Sequence, residues 1–341
     1  MKFRAVILPG INENLLIEEV SLNNVLDIGQ VLVKVISSGI CGAQLQEIAG
    51  LKGNAKFMPH MIGHEGCGEV IEVGPGVTNV KIGDRVVMHW RVGTGIESNF
   101  PKYTFNNKAI TGGKVNTLCE YSVVSENRLT SVDNKLDSDF ATLLGCALTT
   151  SLGVVKNDAK ITIGDRVIII GVGGVGVHIL KASLLAGAIE VYCIDNNNNK
   201  NKFITALGGK FIFSSQTTEY NIPKVDHIID TTGHLNLVNV HMNENLKPGG
   251  QVTLLTIPTQ KSSLLPSSNI LFGKTGVKIV SSQGGSTNPT EDIPRYVDIF
   301  NAGKISCNGI TDRYDNLETI NIAIEDLKSG NIIGRSIIDI I

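Results

Sequence analysis

An apolar run, Arg166-Val167-Ile168-Ile169-Ile170, leads without a break into Gly171-Val172-Gly173-Gly174-Val175-Gly176, and Val177, Leu180 and Leu184 follow at helical spacing. A strand, a G-x-G-x-x-G turn and a helix in immediate succession restrict the fold more than any other stretch of the chain. The first glycine makes the tight turn, the second lets the backbone approach a pyrophosphate, and the third lets the helix pack on its strand. Gly174 and Val175 complete the turn, and the helix N-terminus offers N–H groups and positive potential to phosphate. Glycine-rich turns also arise for steric reasons alone, so the context decides. A second apolar strand, 190–194, ends in Asp195, 19 residues after Gly176. A carboxylate there accepts both hydroxyls of an adenosine ribose and repels a 2′-phosphate, so NAD is expected over NADP. The bland reading of Asp195 is a carboxylate capping a turn. Lys200 or Lys202 either flanks the same ribose or is a solvated surface lysine.

Further apolar strands are expected at 227–230, 251–256 and 277–280, with helical stretches between them. Apolar strands separated by helices argue a parallel sheet covered on both faces, and 148–282 is read as a Rossmann domain. Residues 1–147 have a different rhythm. Short β-type runs such as 31–36 and 68–73 are parted by turns such as Gly74-Pro75-Gly76, the pattern of a compact β-rich domain. After Gly284-Gly285, residues Ile293, Val297 and Phe300, then Ile320, Ile324 and Leu327, fall at helical spacing before a final strand at 336–340. This tail is assigned to the first domain, giving 1–147 with 283–341 beside 148–282.

A chain of 341 residues suits two such domains. With 30 basic against 32 acidic side chains the formal charge is −2, which points away from nucleic acid and anionic membrane and toward a small molecule. The N-terminal apolar run stops at Pro9-Gly10, too soon for a signal peptide, and 167–185 is broken by glycines, His178 and Lys181. The six cysteines are scattered, so a reducing, cytoplasmic setting is expected, with thiols free to fill core or hold metal.

Three segments carry the other chemistry: Gly39-Ile40-Cys41-Gly42-Ala43-Gln44, Gly63-His64-Glu65-Gly66 and Leu144-Gly145-Cys146-Ala147. Two cysteines and one histidine with an open fourth position are how alcohol dehydrogenases hold a catalytic zinc. Singly, each residue has a bland explanation as buried thiol or structural imidazole. Together with G-D-R-V at 83–86, K-P-G-G at 247–250 and Gly334-Arg335, they make the chain resemble the zinc-containing medium-chain dehydrogenases/reductases nearly end to end. That resemblance implies a GroES-like catalytic domain, zinc on Cys41, His64 and Cys146, and Glu65 as an occasional further ligand. It also implies Thr150 and Val175 at the nicotinamide, Arg335 at the pyrophosphate, and reversible oxidation of an alcohol to an aldehyde or ketone. A homodimer or homotetramer is the expected assembly.

Several positions depart from the family pattern. Many members carry a serine or threonine two residues after the first cysteine as a proton relay, with an acidic residue beside it; here these positions are Ala43 and Gln44. The relay is expected to be rebuilt from His60, Glu65, Gln46 or water, with His60 preferred because imidazole titrates near neutral pH. The structural-zinc lobe of many relatives has four closely spaced cysteines, whereas 88–118 has none, so a second zinc is not expected. Trp90, the only tryptophan, aligns with a position that lines the substrate pocket, though it serves equally well as core filler. The polar character of 88–118 favours polyol or sugar derivatives over simple alcohols. Two rivals remain: a metal-free NADPH-dependent quinone or enone reductase of the same fold, opposed by the three ligands and Asp195, and a non-catalytic nucleotide-binding protein.

Overall fold

A computed structural model describes residues 1–22, 25–53, 55–216, 221–256, 263–264, 266–267, 269–273 and 276–340. The chain forms two compact units, Met1–Thr149 with Asn288–Ile341, and Thr150–Thr287. The crossings thus fall at 149/150 and 287/288, against 147/148 and 282/283 in the sequence pattern.

The chain opens with β1 (Lys2–Leu8), β2 (Leu16–Leu22) and β3 (Gln30–Ile40), followed by α1 (Gly42–Ile48). Next come β4 (His60–Met61), β5 (Glu65–Val73), β6 (Arg85–His89), β7 (Tyr103–Phe105) and β8 (Lys108–Ile110). Strands β9 (Tyr121–Ser125) and β10 (Leu129–Val132) precede α2 (Ser138–Leu143) and α3 (Ala147–Gly153). The second unit holds β11 (Arg166–Ile170), α4 (Gly176–Leu185), β12 (Glu190–Asp195), α5 (Asn201–Ala206) and β13 (Lys210–Phe213). It continues through β14 (Val225–Asp230), α6 (Leu235–Glu244), β15 (Leu246–Leu254) and β16 (Lys278–Ser281). The tail adds α7 (Pro289–Asn301), β17 (Thr311–Tyr314), α8 (Ile320–Ser329) and β18 (Arg335–Asp339).

In the second unit six parallel strands lie in the order β13-β12-β11-β14-β15-β16. That is the dinucleotide-binding order, and it puts the 171–176 turn at the carboxyl end of the central strand β11. The side chains of β11 are buried on both faces of the sheet, which is why Val167 to Ile170 are apolar without alternation and at most 1% exposed.

The first unit is β-rich. Its larger sheet runs β10-β6-β5-β3-β18-β17, with β9 also paired to β3, and its smaller one runs β4-β1-β2-β7-β8. Strand β3 serves two partners on one side because its first half pairs with β9 and its last four residues with β18. The tail therefore completes this sheet, and Leu317, Ile320, Ala323, Ile324 and Ile338 join its core with Val33, Val35 and Met88. Phe140 of α2 stacks on Phe300 of α7 at 4.2 Å between ring centroids.

Residues 90–100 form neither helix nor strand and are shaped by side chains instead. The buried Glu126 carboxylate accepts the backbone N–H of Thr78 at 2.6 Å, Asn79 at 2.8 Å and Ile96 at 2.7 Å. Burial works to raise its carboxyl, and those three amides outweigh burial and hold it below the usual range. Among the described residues no helix is long and apolar enough to cross a membrane.

Candidate active site

Strand β3 delivers Cys41 to the start of α1 as its N-cap. Its Sγ accepts the Ala43 N–H at 3.5 Å, while its own N–H donates to Gln44 Oε1 at 2.7 Å, a reciprocal capping box. His64 lies between β4 and β5, each fixed by pairing, β4 with β1 and β5 with β3 and β6. Cys146 follows α2, and its neighbour Gly145 sits so close to β6 that a Cβ would lie 2.4 Å from the Met88 carbonyl oxygen. Only glycine fits there, and that close approach brings Cys146 onto the other two segments. The ligand atoms of Cys41, His64 and Cys146 lie within 4.8 Å of one another.

A tetrahedral zinc with Zn–S of about 2.3 Å and Zn–N of about 2.0 Å needs donors roughly 3.5–3.8 Å apart, within reach of this arrangement. The donor chemistry, two thiols and an imidazole, suits the ion as well. A hydrogen bond with Cys146 holds the Cys41 thiol well below its usual range against the effect of burial, with help from the charges of Arg335 and His64. The Cys146 thiol is pushed up.

Glu65 and Arg335 lie alongside, at 0% and 3% exposure. Arg335 Nε donates to Glu65 Oε1 at 3.1 Å and Nη2 to Oε2 at 2.8 Å. Arg335, expected at the pyrophosphate, thus has two of its three nitrogens on Glu65, and Glu65, expected as an occasional ligand, is held by a bidentate pair. Burial pushes the Glu65 carboxyl up, and Arg335 opposes it. Burial would lower the guanidinium, but the charges of Cys41, Glu65 and Cys146 raise it.

His60 is buried in β4 and its Nε2 lies 3.0 Å from Glu47 Oε1. Burial works to raise the Glu47 carboxyl, and His60, with the charges of Lys52 and then His64, outweighs it and keeps the carboxyl low. Sequence reasoning missed Glu47. The available signal was its place on the helix that Cys41 caps, two turns from the ligand. His89, the last residue of β6, was also passed over. Its Nδ1–H donates to the Arg91 carbonyl oxygen at 2.8 Å and its Nε2 accepts the Thr130 hydroxyl at 3.0 Å. Burial lowers it to about 4, so the ring is neutral near pH 7. Trp90 is half-buried, with the Arg91 guanidinium 5.7 Å from its ring centroid.

In the other unit the 171–176 turn joins β11 to α4, whose first turn has no side-chain cap, leaving N–H groups for an anion. A Cβ on Gly176 would lie 2.0 Å from the Gly171 carbonyl oxygen, whereas one on Gly173 would meet nothing within 4 Å. The third glycine is therefore demanded by packing, and the second leaves open space for a ligand. Gly176→Ala is expected to strain the turn by about 1–3 kcal/mol and to weaken NADH binding about tenfold or more. Fluorescence titration with NADH checks this, and unchanged affinity would separate the turn from the cofactor.

Asp195 ends β12. Its carboxylate accepts the Val172 N–H at 2.9 Å, the Asn197 N–H at 2.9 Å and Lys200 Nζ at 3.0 Å. Three of its roughly four acceptor sites are thus engaged, and Lys200, buried at 7% exposure, is bound to the carboxylate itself. Ser151 Oγ donates to the Val175 carbonyl oxygen at 3.0 Å, and Thr150, beside Ser151, is 9% exposed.

Residues 27–134 match the family model of the alcohol dehydrogenase GroES-like domain. The chain is 26% identical over 379 residues to the class-3 alcohol dehydrogenase of Cereibacter sphaeroides, covering 99% of this chain and 100% of that one. Among solved structures it resembles an alcohol dehydrogenase zinc-binding domain protein from Burkholderia ambifaria, with a TM-score of 0.88 at 21% identity over 100% and 99% of the two chains. It also resembles benzyl alcohol dehydrogenase from Acinetobacter calcoaceticus, with a TM-score of 0.86 at 21% identity over 100% of both. The structural likenesses carry the fold, and the sequence match runs from end to end. Residues 27–134 thus match an alcohol dehydrogenase GroES-like domain, and the chain as a whole is similar in sequence to alcohol dehydrogenases.

Proposed function

We propose that the protein moves hydride reversibly between NAD and an alcohol, aldehyde or ketone, with one zinc held by Cys41, His64 and Cys146. The observation that carries this reading is the meeting of those three donors, from distant segments, within 4.8 Å. When bound, the metal supplies Lewis acidity that eases loss of an alcohol proton. The 171–176 turn takes the pyrophosphate, Asp195 and Lys200 the adenosine ribose, and Thr150 and Val175 the nicotinamide. Arg335 has Nη1 for a cofactor phosphate, its other two nitrogens being on Glu65. Glu65 joins the metal only if that pair opens. The six free, buried cysteines support a reducing, cytoplasmic setting, and a homodimer or homotetramer is the assembly we assign.

The released proton needs an acceptor, because Ala43 has no hydroxyl. We assign it to His60, whose bond to Glu47 gives the imidazole a carboxylate partner. His60→Ala should slow alcohol oxidation, and an unchanged rate would remove His60 from the mechanism. The reading as a whole is tested by a screen for NADH formation over alcohols, polyols, sugar derivatives and S-(hydroxymethyl)glutathione with zinc-loaded protein. No turnover on any of them, together with NADPH-dependent reduction of a quinone by zinc-free protein, would favour the metal-free reductase instead.

A further inference from the structure

The last turn before β17, Cys307-Asn308-Gly309-Ile310, is closed by the Ile310 N–H on the Cys307 carbonyl oxygen at 2.9 Å. Its ends are rooted in the core, Cys307 at 3% and Ile310 at 1% exposure, while Asn308 and Gly309 at its tip are exposed. Gly309 has a φ of 72°, the left-handed conformation that favours glycine in such a turn. This is the only Asn-Gly step in the sequence. Among the described residues neither the Asn308 side-chain amide nor the Gly309 N–H has a hydrogen-bond partner.

That combination is reactive. Asn308 Cγ is an electrophile within ring-closing reach of the next backbone nitrogen, and glycine has no Cβ to hold that nitrogen off. The Gly309 nitrogen bonds to Asn308 Cγ and gives its proton to water, while the bond from Cγ to the side-chain nitrogen breaks and ammonia leaves with a proton regained from water. Water then opens one of the two C–N bonds of the resulting succinimide. Opening at Cγ leaves aspartate. Opening at the Asn308 backbone carbonyl leaves isoaspartate, whose main chain runs through the side chain and is one methylene longer. Water is the only co-reactant, and nothing is oxidised or reduced.

A lengthened turn has little room here. The Ile310 carbonyl oxygen accepts the Arg335 N–H at 2.8 Å, and a Cβ on Gly334 would lie 1.9 Å from that same oxygen. Thr311, the first residue of β17, pairs with Arg335, whose side chain holds Glu65. The backbone anchor of Arg335 is thus two residues from the reactive asparagine.

We propose that Asn308-Gly309 is a site of spontaneous deamidation, and that its isoaspartate product displaces Ile310 and loosens Arg335, lowering the stability of the first unit. The reaction is independent of the dehydrogenase reading. Full-length protein is held for days in warm, mildly alkaline buffer and then mapped by peptide mass spectrometry. Asn308 is expected to lose its amide, with isoaspartate shown by methyltransferase labelling, while Asn107 and Asn301, also exposed but followed by Lys108 and Ala302, keep theirs. Hydrogen exchange at the Arg335 backbone amide should quicken in the isoaspartate form, because its bond to Ile310 opens. The urea midpoint read by Trp90, which lies in this unit and is the only tryptophan, should fall by a few tenths of a molar. Aged Asn308→Gln, whose longer side chain closes the imide ring far more slowly, should keep the midpoint and the exchange rate of fresh protein. An Asn308 amide that survives as long as that of Asn107 overturns the site. Isoaspartate at 308 with exchange at Arg335 and the midpoint both unmoved overturns its effect on Arg335, and so does an equal fall in aged Asn308→Gln.

Discussion

Cys146→Ser protein is expected to lose its zinc and its alcohol turnover together while still binding NADH. The substitution is nearly isosteric, and the Cys146 side chain is buried at 7% exposure, so the fold around α2 and Gly145 should survive. A serine hydroxyl is a far poorer zinc ligand than a thiolate, and the remaining Cys41 and His64 are too few for a site that needs three protein donors. Losing several kcal/mol of Lewis-acid stabilisation amounts to a fall in kcat/KM of about 10³-fold or more. Zinc content by atomic absorption should drop from one ion per chain toward none, and dialysis of the wild type against a chelator should mimic the variant. NADH titration provides the internal control, because the 171–176 turn and Asp195 belong to the Thr150–Thr287 unit, not to the unit that carries the three ligands. A Cys146→Ser protein that keeps its metal and its rate would sink the assignment, as would a wild type that oxidises alcohols with no zinc bound.

What could be read from the sequence depended on how local each signal was. Strand β11 was placed with its bounds intact because a wholly apolar run meets a glycine that must turn. Strand β13 went unnoticed: Lys210–Phe213 has four residues, too short to show a period, and among the described residues it is an edge strand paired with β12. Cys41, His64 and Cys146 stood out because each lies in a short glycine-flanked segment, but their convergence was expected from family resemblance, since nothing local links residue 41 to residue 146. Partnerships between distant charges were not legible at all. Arg335 is assigned to a phosphate by family resemblance alone, and nothing in the chain announces that a carboxylate 270 residues away, itself fully buried, also claims two of its nitrogens. His60 was noticed for its chemistry and Glu47 was not, because many carboxylates are available and only the turn between α1 and β4 selects this one.

Breaking the pair between Glu65 and Arg335 should be the most damaging single change to the stability of the first unit. Arg335→Met leaves a carboxylate at 0% exposure without its partner, beside thiols whose negative charge already favours a cation there. Removing one member of a buried pair costs about 3–5 kcal/mol, because the survivor is an uncompensated charge in low dielectric. Glu65 can avoid that charge by taking a proton, toward which burial already pushes it, so the loss should be smaller at acid pH and larger above neutrality. The sign follows because deprotonating Glu65 in the variant becomes harder only in the folded state, so the unfolded chain gains stability as pH rises. Replacing both residues, Glu65→Gln with Arg335→Met, removes the charge along with its partner and should recover a large part of the loss. Trp90 lies in this unit and is the only tryptophan, so its fluorescence during urea unfolding reports on this unit without assuming that the whole chain unfolds in one step. A single variant within about 1 kcal/mol of wild type at neutral pH would show that water reaches Glu65 freely. A double variant no better than Arg335→Met would show that shape at Arg335, and not charge, is what the site requires.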